Sequence, residues 1–140
     1  MPNTVLAFDF GHRRIGVAVG QDVTGSASPL GVVRNSESGV DRDHIATLIQ
    51  EWQPTTLVVG KPLRADGSDS DMTEDAARFA KGLEDFELPV VMTDERFSSV
   101  EATRQLKQAR AAGQRGRISK EDIDAAAAVT IAERYLAGSG

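Results

Sequence analysis

The sequence contains no cysteine. That excludes a disulfide framework, a thiol nucleophile and any cysteine-based zinc site, and it fits a reducing compartment. No apolar run approaches the roughly 20 residues needed to span a bilayer. The opening Met1-Pro2-Asn3-Thr4-Val5-Leu6 has no basic stretch followed by a long apolar one, so no secretory leader is expected. Repeats and low-complexity segments are also missing. The expectation is a cytoplasmic protein with no membrane association, folded as one domain over residues 1–140. A chain of that length buries roughly two thirds of its unfolded surface, so its own core suffices to hold it.

Basic charge is in short supply overall, with a net charge of -5 and a pI of about 5.0. Taken globally this counts against a nucleic-acid binder, whose footprint is usually basic. Locally the balance reverses. Arg104, Lys107, Arg110, Arg115, Arg117 and Lys120 follow one another with no acidic residue between them. A cluster of metal-binding carboxylates would itself lower the pI, so the global charge is a mild objection.

Residues 4–10 form a β-branched and aromatic run that stops at Gly11, and residues 14–20 form a second, which predicts a hairpin. Residues 29–34 read as a third strand. Ile45, Leu48, Ile49 and Trp52 recur at i, i+3, i+4, i+7 and predict a helix that ends before Pro54. Residues 56–60 are a short buried strand, followed by a Pro/Gly/Asp-rich loop to residue 70. Ala76, Phe79, Ala80 and Leu83 mark a second helix, with Asp71 and Glu74 at capping-box spacing. Residues 88–93 make a fifth strand. Ser98 and Glu101 open a third helix running to about Gly113, and Ser119 caps an alanine-rich last helix to about Leu136. The order β-β-β-α-β-α-β-α-α predicts an α/β fold: a five-stranded mixed sheet flanked by helices.

Three acids stand out in this frame. Asp9 lies near the end of an apolar strand, where a turn role is the ordinary alternative. Beside it, Gly11 would let backbone approach a phosphate, and Arg13 and Arg14 supply positive charge. Asp94 and Glu95 follow directly on a buried strand, where active sites of open sheets collect. Charge at a helix N-terminus is the competing reading there. Asp124 shares a stripe with Ala127, Ala128 and Ile131, and an acid in apolar company needs a partner or a metal. No basic residue stands at i+3 or i+4 to supply one. Asp122 is better placed as the capping partner of Ser119. Hard divalent cations take carboxylate oxygens, and two of them about 4 Å apart can activate water and stabilise the leaving oxygen of a phosphodiester.

Four motifs occur in order: Asp9-Phe10-Gly11 with Arg14-Ile15-Gly16-Val17-Ala18; Val59-Gly60-Lys61-Pro62-Leu63 with Asp66-Gly67-Ser68; Asp94-Glu95-Arg96; and Ile123-Asp124 with Ala126-Ala127. With them the chain resembles the YqgF family, also called RuvX, from about Val5 to Leu136. The resemblance implies a ribonuclease H-like fold, similar to that of bacterial Holliday junction resolvases. It further implies a metal-dependent endonuclease that matures the 5′ end of 16S ribosomal RNA. Asp9, Glu95 and Asp124 would be the catalytic, metal-binding acids, with Asp94 the rival of Glu95. Two Mg²⁺ or Mn²⁺ ions are implied, with Asp9 bridging them. Gly11, Arg14, Arg96, Arg104 and Lys107 would bind substrate, although Arg14 could equally pair with an acid. His12 replaces a common Thr or Ser and Lys61 a common apolar residue, and His12 is left out of the catalytic set.

The implied partners are precursor ribosomal RNA or branched DNA and the small ribosomal subunit, with a monomer or a homodimer both open. Alternatives are a Holliday junction resolvase, or a nucleic-acid-binding module without chemistry. An actin-like phosphotransferase, which pairs an Asp and a Gly on its first hairpin, would need a second lobe that 140 residues do not provide.

Overall fold

A computed structural model describes residues 3–36, 38–61, 72–94 and 119–138. The opening hairpin is present as β1 (Thr4–Asp9) and β2 (Arg14–Gln21). β3 covers Ser26–Ser36, longer than its apolar centre suggests, because its polar ends are held by ladder hydrogen bonds to β2. Leu30 is the extra residue of a bulge between Pro29, opposite Ala18, and Gly31, opposite Val17. Gly31 takes φ +118° there, a conformation open to glycine. β4 (Gly39–Val40) pairs only with Asn35 and Ser36, so most of β3 is an edge that tolerates Pro29.

α1 (Arg42–Trp52) starts at Asp41, whose carboxylate accepts the His44 amide N–H at 3.2 Å, and ends at Gln53 in the left-handed conformation just before Pro54. Ile45 and Leu48 are buried as expected, whereas Trp52, in the last helical position, stays 38% exposed. β5 (Thr56–Lys61) joins β1 in parallel. α2 (Thr73–Leu83) has Met72, not Asp71, at its cap position and no side-chain capping bond; Asp71 itself lies outside the described residues. A 3₁₀ turn (Glu84–Phe86) leads to β6 (Val90–Asp94), parallel to β5. α3 (Lys120–Gly138) closes the chain, capped reciprocally by Ser119 and Asp122. The predicted helix from Ser98 to Gly113 and the basic loop after it fall outside the described residues.

Among the described residues the sheet order is β4-β3-β2-β1-β5-β6, six strands where the sequence suggested five. The sixth is β4, too short to leave a side-chain pattern. Alternation divides the strands between two faces. Leu6, Phe8, Ile15, Val17, Val33, Leu57 and Val59 meet Ile45, Leu48, Phe79 and Leu83 of α1 and α2. Phe8 and Phe79 meet edge to face at 5.7 Å. On the other face Val5, Ala7 and Val58 pack under Ile131 and Ala132 of α3. Small residues make that second layer thin. A Cβ on Gly20 would lie 3.1 Å from Leu136 Cδ1 and 3.4 Å from Ala132 Cβ, so α3 runs close over β2. No described helix is long and apolar enough to cross a membrane.

Candidate active site

The face under α3 carries Asp9 and Asp124. The alternation that places Val5 and Ala7 there carries half-buried Asp9 with them, at the carboxyl end of β1. Across the hairpin Asp9 stands opposite Gly16. A Cβ built on Gly16 would fall 1.9 Å from the carbonyl oxygen of Asp124 and 3.1 Å from the nitrogen of Ala125. The backbone of α3 at Asp124 therefore rests on the residue paired with Asp9. Paired Cα atoms of antiparallel strands lie about 4.5–5.5 Å apart, so Asp9 and Asp124 belong to one small region.

Asp124 has found a partner that its own helix does not offer. Arg14 Nε donates to its Oδ2 at 2.8 Å, with 32% and 28% of the two side chains exposed. The pairing with an acid, one of the two roles expected of Arg14, is present, and that acid is a candidate ligand. The bond uses one of five guanidinium N–H donors.

The loop between Asp9 and Arg14 is held from both sides. Asn35 of β3 donates its side-chain Nδ2–H to the carbonyl of Gly11 at 2.8 Å, and its amide N–H to the carbonyl of Arg13 at 3.0 Å. A Cβ on Gly11 would come within 2.4 Å of the Arg14 carbonyl oxygen, so the turn's own tightness requires the glycine. On the opposite face Phe10 packs on Phe79 at 5.5 Å, and the His12 ring bonds Asp75 of α2 at 2.9 Å. Sequence reasoning passed over Asn35, Asp75 and the seating role of Gly16. Only Gly16 left a signal, through its place in the first motif.

Further across the sheet, Phe8, Val59 and Met92 form one row over β1, β5 and β6, and Lys61 stands opposite Asp94 at the last paired position. Glu95 comes next in the chain, outside the described residues, as do Arg96, Arg104 and Lys107. The structure thus brings together Asp9, Arg14 and Asp124. Among the described residues no group of three His, Cys, Asp or Glu side chains is placed to hold a metal.

Known proteins agree with this architecture. Residues 3–138 match the family described as "RuvX: Holliday junction resolvase". A Burkholderia lata protein named "Putative pre-16S rRNA nuclease" is 46% identical over 138 residues, covering 95% of this chain and 88% of its own. One of the same name from Edwardsiella ictaluri is 42% identical over 136 residues, covering 96% and 95%. Among solved structures, T. thermophilus RuvC in complex with a Holliday junction substrate superposes with a TM-score of 0.56 at 15% identity, over 99% of this chain and 96% of that one. The Fowlpox virus resolvase, bound to Holliday junction DNA, gives 0.60 at 11% identity, over 97% and 98%. The fold is that of the ribonuclease H-like resolvases, and the chain belongs to the RuvX family, a nuclease hydrolysing phosphodiester bonds.

Proposed function

We propose that this protein is a divalent-metal-dependent endonuclease that processes the 5′ end of precursor 16S ribosomal RNA in the cytoplasm, on the small ribosomal subunit as it matures. Asp9, Glu95 and Asp124 are its metal-binding acids, and the whole chain serves as a single nuclease domain. The observation that carries the reading is the seating of Asp124 on Gly16, opposite Asp9, at the carboxyl end of a parallel strand. Relatives named for pre-16S rRNA supply the substrate.

The donor set fits a hard cation. Two carboxylates from separate elements share one face, and a third acid, Glu95, directly follows the strand end at Asp94. Bound Mg²⁺ or Mn²⁺ would supply a water nucleophile and stabilise the leaving oxygen. Arg14 holds the Asp124 carboxylate in one orientation and has donors left for a non-bridging phosphate oxygen. Asn35 fixes the Gly11 turn, and with it the direction in which β1 delivers Asp9. Glu95, Arg96, Arg104 and Lys107 complete the site and the grip on substrate in this reading.

A second reading, cleavage of branched DNA, draws on the family's description and on the resolvase fold. One experiment addresses both. The purified protein is incubated with precursor 16S RNA, free and within a ribosomal particle, and with a four-way DNA junction, in Mg²⁺ and in Mn²⁺. Asp9→Asn and Asp124→Asn are run in parallel. Metal-dependent cleavage of the RNA that falls at least about 100-fold in both variants is expected. Cleavage by the variants at the wild-type rate would sink the assignment, and cutting of the junction alone would select the resolvase.

A further inference from the structure

We propose that the groove beside Arg14 is a second phosphate subsite, which carries the nucleic-acid strand from the cleavage site outward over β3. It rests on the nuclease reading above and adds residues to it. The groove has a volume of about 570 Å³, and its lining includes Arg13, Arg14, Arg34 and His44 together with the acids Asp41 and Glu121.

The strand register builds it. Arg14 and Arg34 are directly opposed on antiparallel β2 and β3. Like charges in that arrangement repel unless an anion lies between or beside them. Asp124 answers for Arg14 at 2.8 Å. Among the described residues neither Arg13 nor Arg34 is joined to a carboxylate within ion-pair distance, and both are exposed. Of the two acids in the lining, Asp41 is turned to its own helix, where it caps the His44 amide. With Arg14 held by Asp124, Arg13 and Arg34 are the guanidinium groups of the lining that remain to meet a phosphate.

Position supplies the direction. Asp9, Arg14 and Arg34 occupy β1, β2 and β3, successive strands about 4.8 Å apart, at the same end of the sheet. A strand whose scissile phosphate lies at Asp9 and Asp124 meets Arg14 first and Arg34 next, then leaves past Arg13 and His44. Forked guanidinium donors recognise phosphate oxygens without reading bases, so the subsite grips any sequence.

The test measures binding in the absence of divalent cations, so that it reads out even if no substrate is cut. A fluorescein-labelled single-stranded RNA of about 12 nucleotides is titrated with the full chain by anisotropy at several salt concentrations. The single-stranded DNA of the same sequence is titrated beside it. Arg34→Gln and Arg13→Gln should each weaken binding about 3- to 10-fold and reduce the slope of log K against log salt by roughly 0.7, with both probes. Lys81→Gln, which removes one charge from α2 on the other face, should change neither. Wild-type affinity and slope in the two arginine variants would overturn the proposal. So would an equal loss with Lys81→Gln, or a loss confined to RNA, since phosphates are common to both probes.

Discussion

Gly16 and the main chain of Asp124 occupy the same few ångströms, to the point that no side chain fits between them. The single hydrogen on Gly16 lets α3 descend onto β2 and sets the height of Asp124 above the sheet. Gly16→Ala would drive a methyl group into a carbonyl oxygen 1.9 Å away, and backbone cannot yield as a flexible side chain can. We expect a loss of about 2–3 kcal/mol in urea unfolding, the upper range for overpacking, together with strongly reduced cleavage. Gly20→Ala, where the nearest atoms are side-chain carbons at 3.1 Å and beyond, should cost less. Equal effects at the two positions would refute this account of α3.

Arg14→Met should leave Asp124 part-buried without its hydrogen bond. The expected cost is on the order of 1–2 kcal/mol, with cleavage reduced because the carboxylate loses its fixed orientation. Arg14→Lys keeps the charge and loses the planar fork, so it should restore stability better than activity. Urea midpoints and cleavage rates measured on both variants separate the two effects.

Asn35→Ala removes the donor that holds the Gly11 carbonyl. A stability change of about 1 kcal/mol is expected, with kcat falling and KM little altered, because the residue positions a loop without gripping substrate. Asn35→Asp, which sets a carboxylate oxygen against a carbonyl oxygen, should be the more damaging of the two. Steady-state kinetics showing a pure KM effect would reassign Asn35 to substrate binding.

His12 and Asp75 are joined at 2.9 Å, but the His12 side chain is 59% exposed. Exposed pairs of this kind contribute little, so His12→Asn should shift stability by less than about 1 kcal/mol and leave cleavage near wild type. A hundredfold loss of rate would instead make His12 part of the chemistry.

The paired strands β1 and β2 were legible because β-branched alternation, a stop at Gly11 and a short spacing all agree. α3 was legible from Ser119 and Asp122, whose reciprocal bonds the spacing foretells. At the start of α2 the spacing of Asp71 and Glu74 points one residue early: Met72 takes the cap position, and Asp71 lies outside the described residues. Asp124 showed itself as an acid in need of a partner, but Arg14 is 110 positions away and no local pattern reaches that far. Asn35 left no trace for the same reason: its value lies in a bond to Gly11, 24 residues earlier, made only once β3 has docked.

The salt bridge from Arg14 to Asp124 therefore ties an early hairpin to the closing helix. Contacts of such separation carry a large loop-closure cost, and we expect this one to form late in folding. Until α3 settles on Gly16, Asp9 stands on the sheet without Asp124 over it, and on the proposed assignment a partly folded chain lacks one of its three acids. On the proposed assignment, nuclease competence awaits completion of the fold, so an incompletely folded molecule would be harmless to the RNA around it.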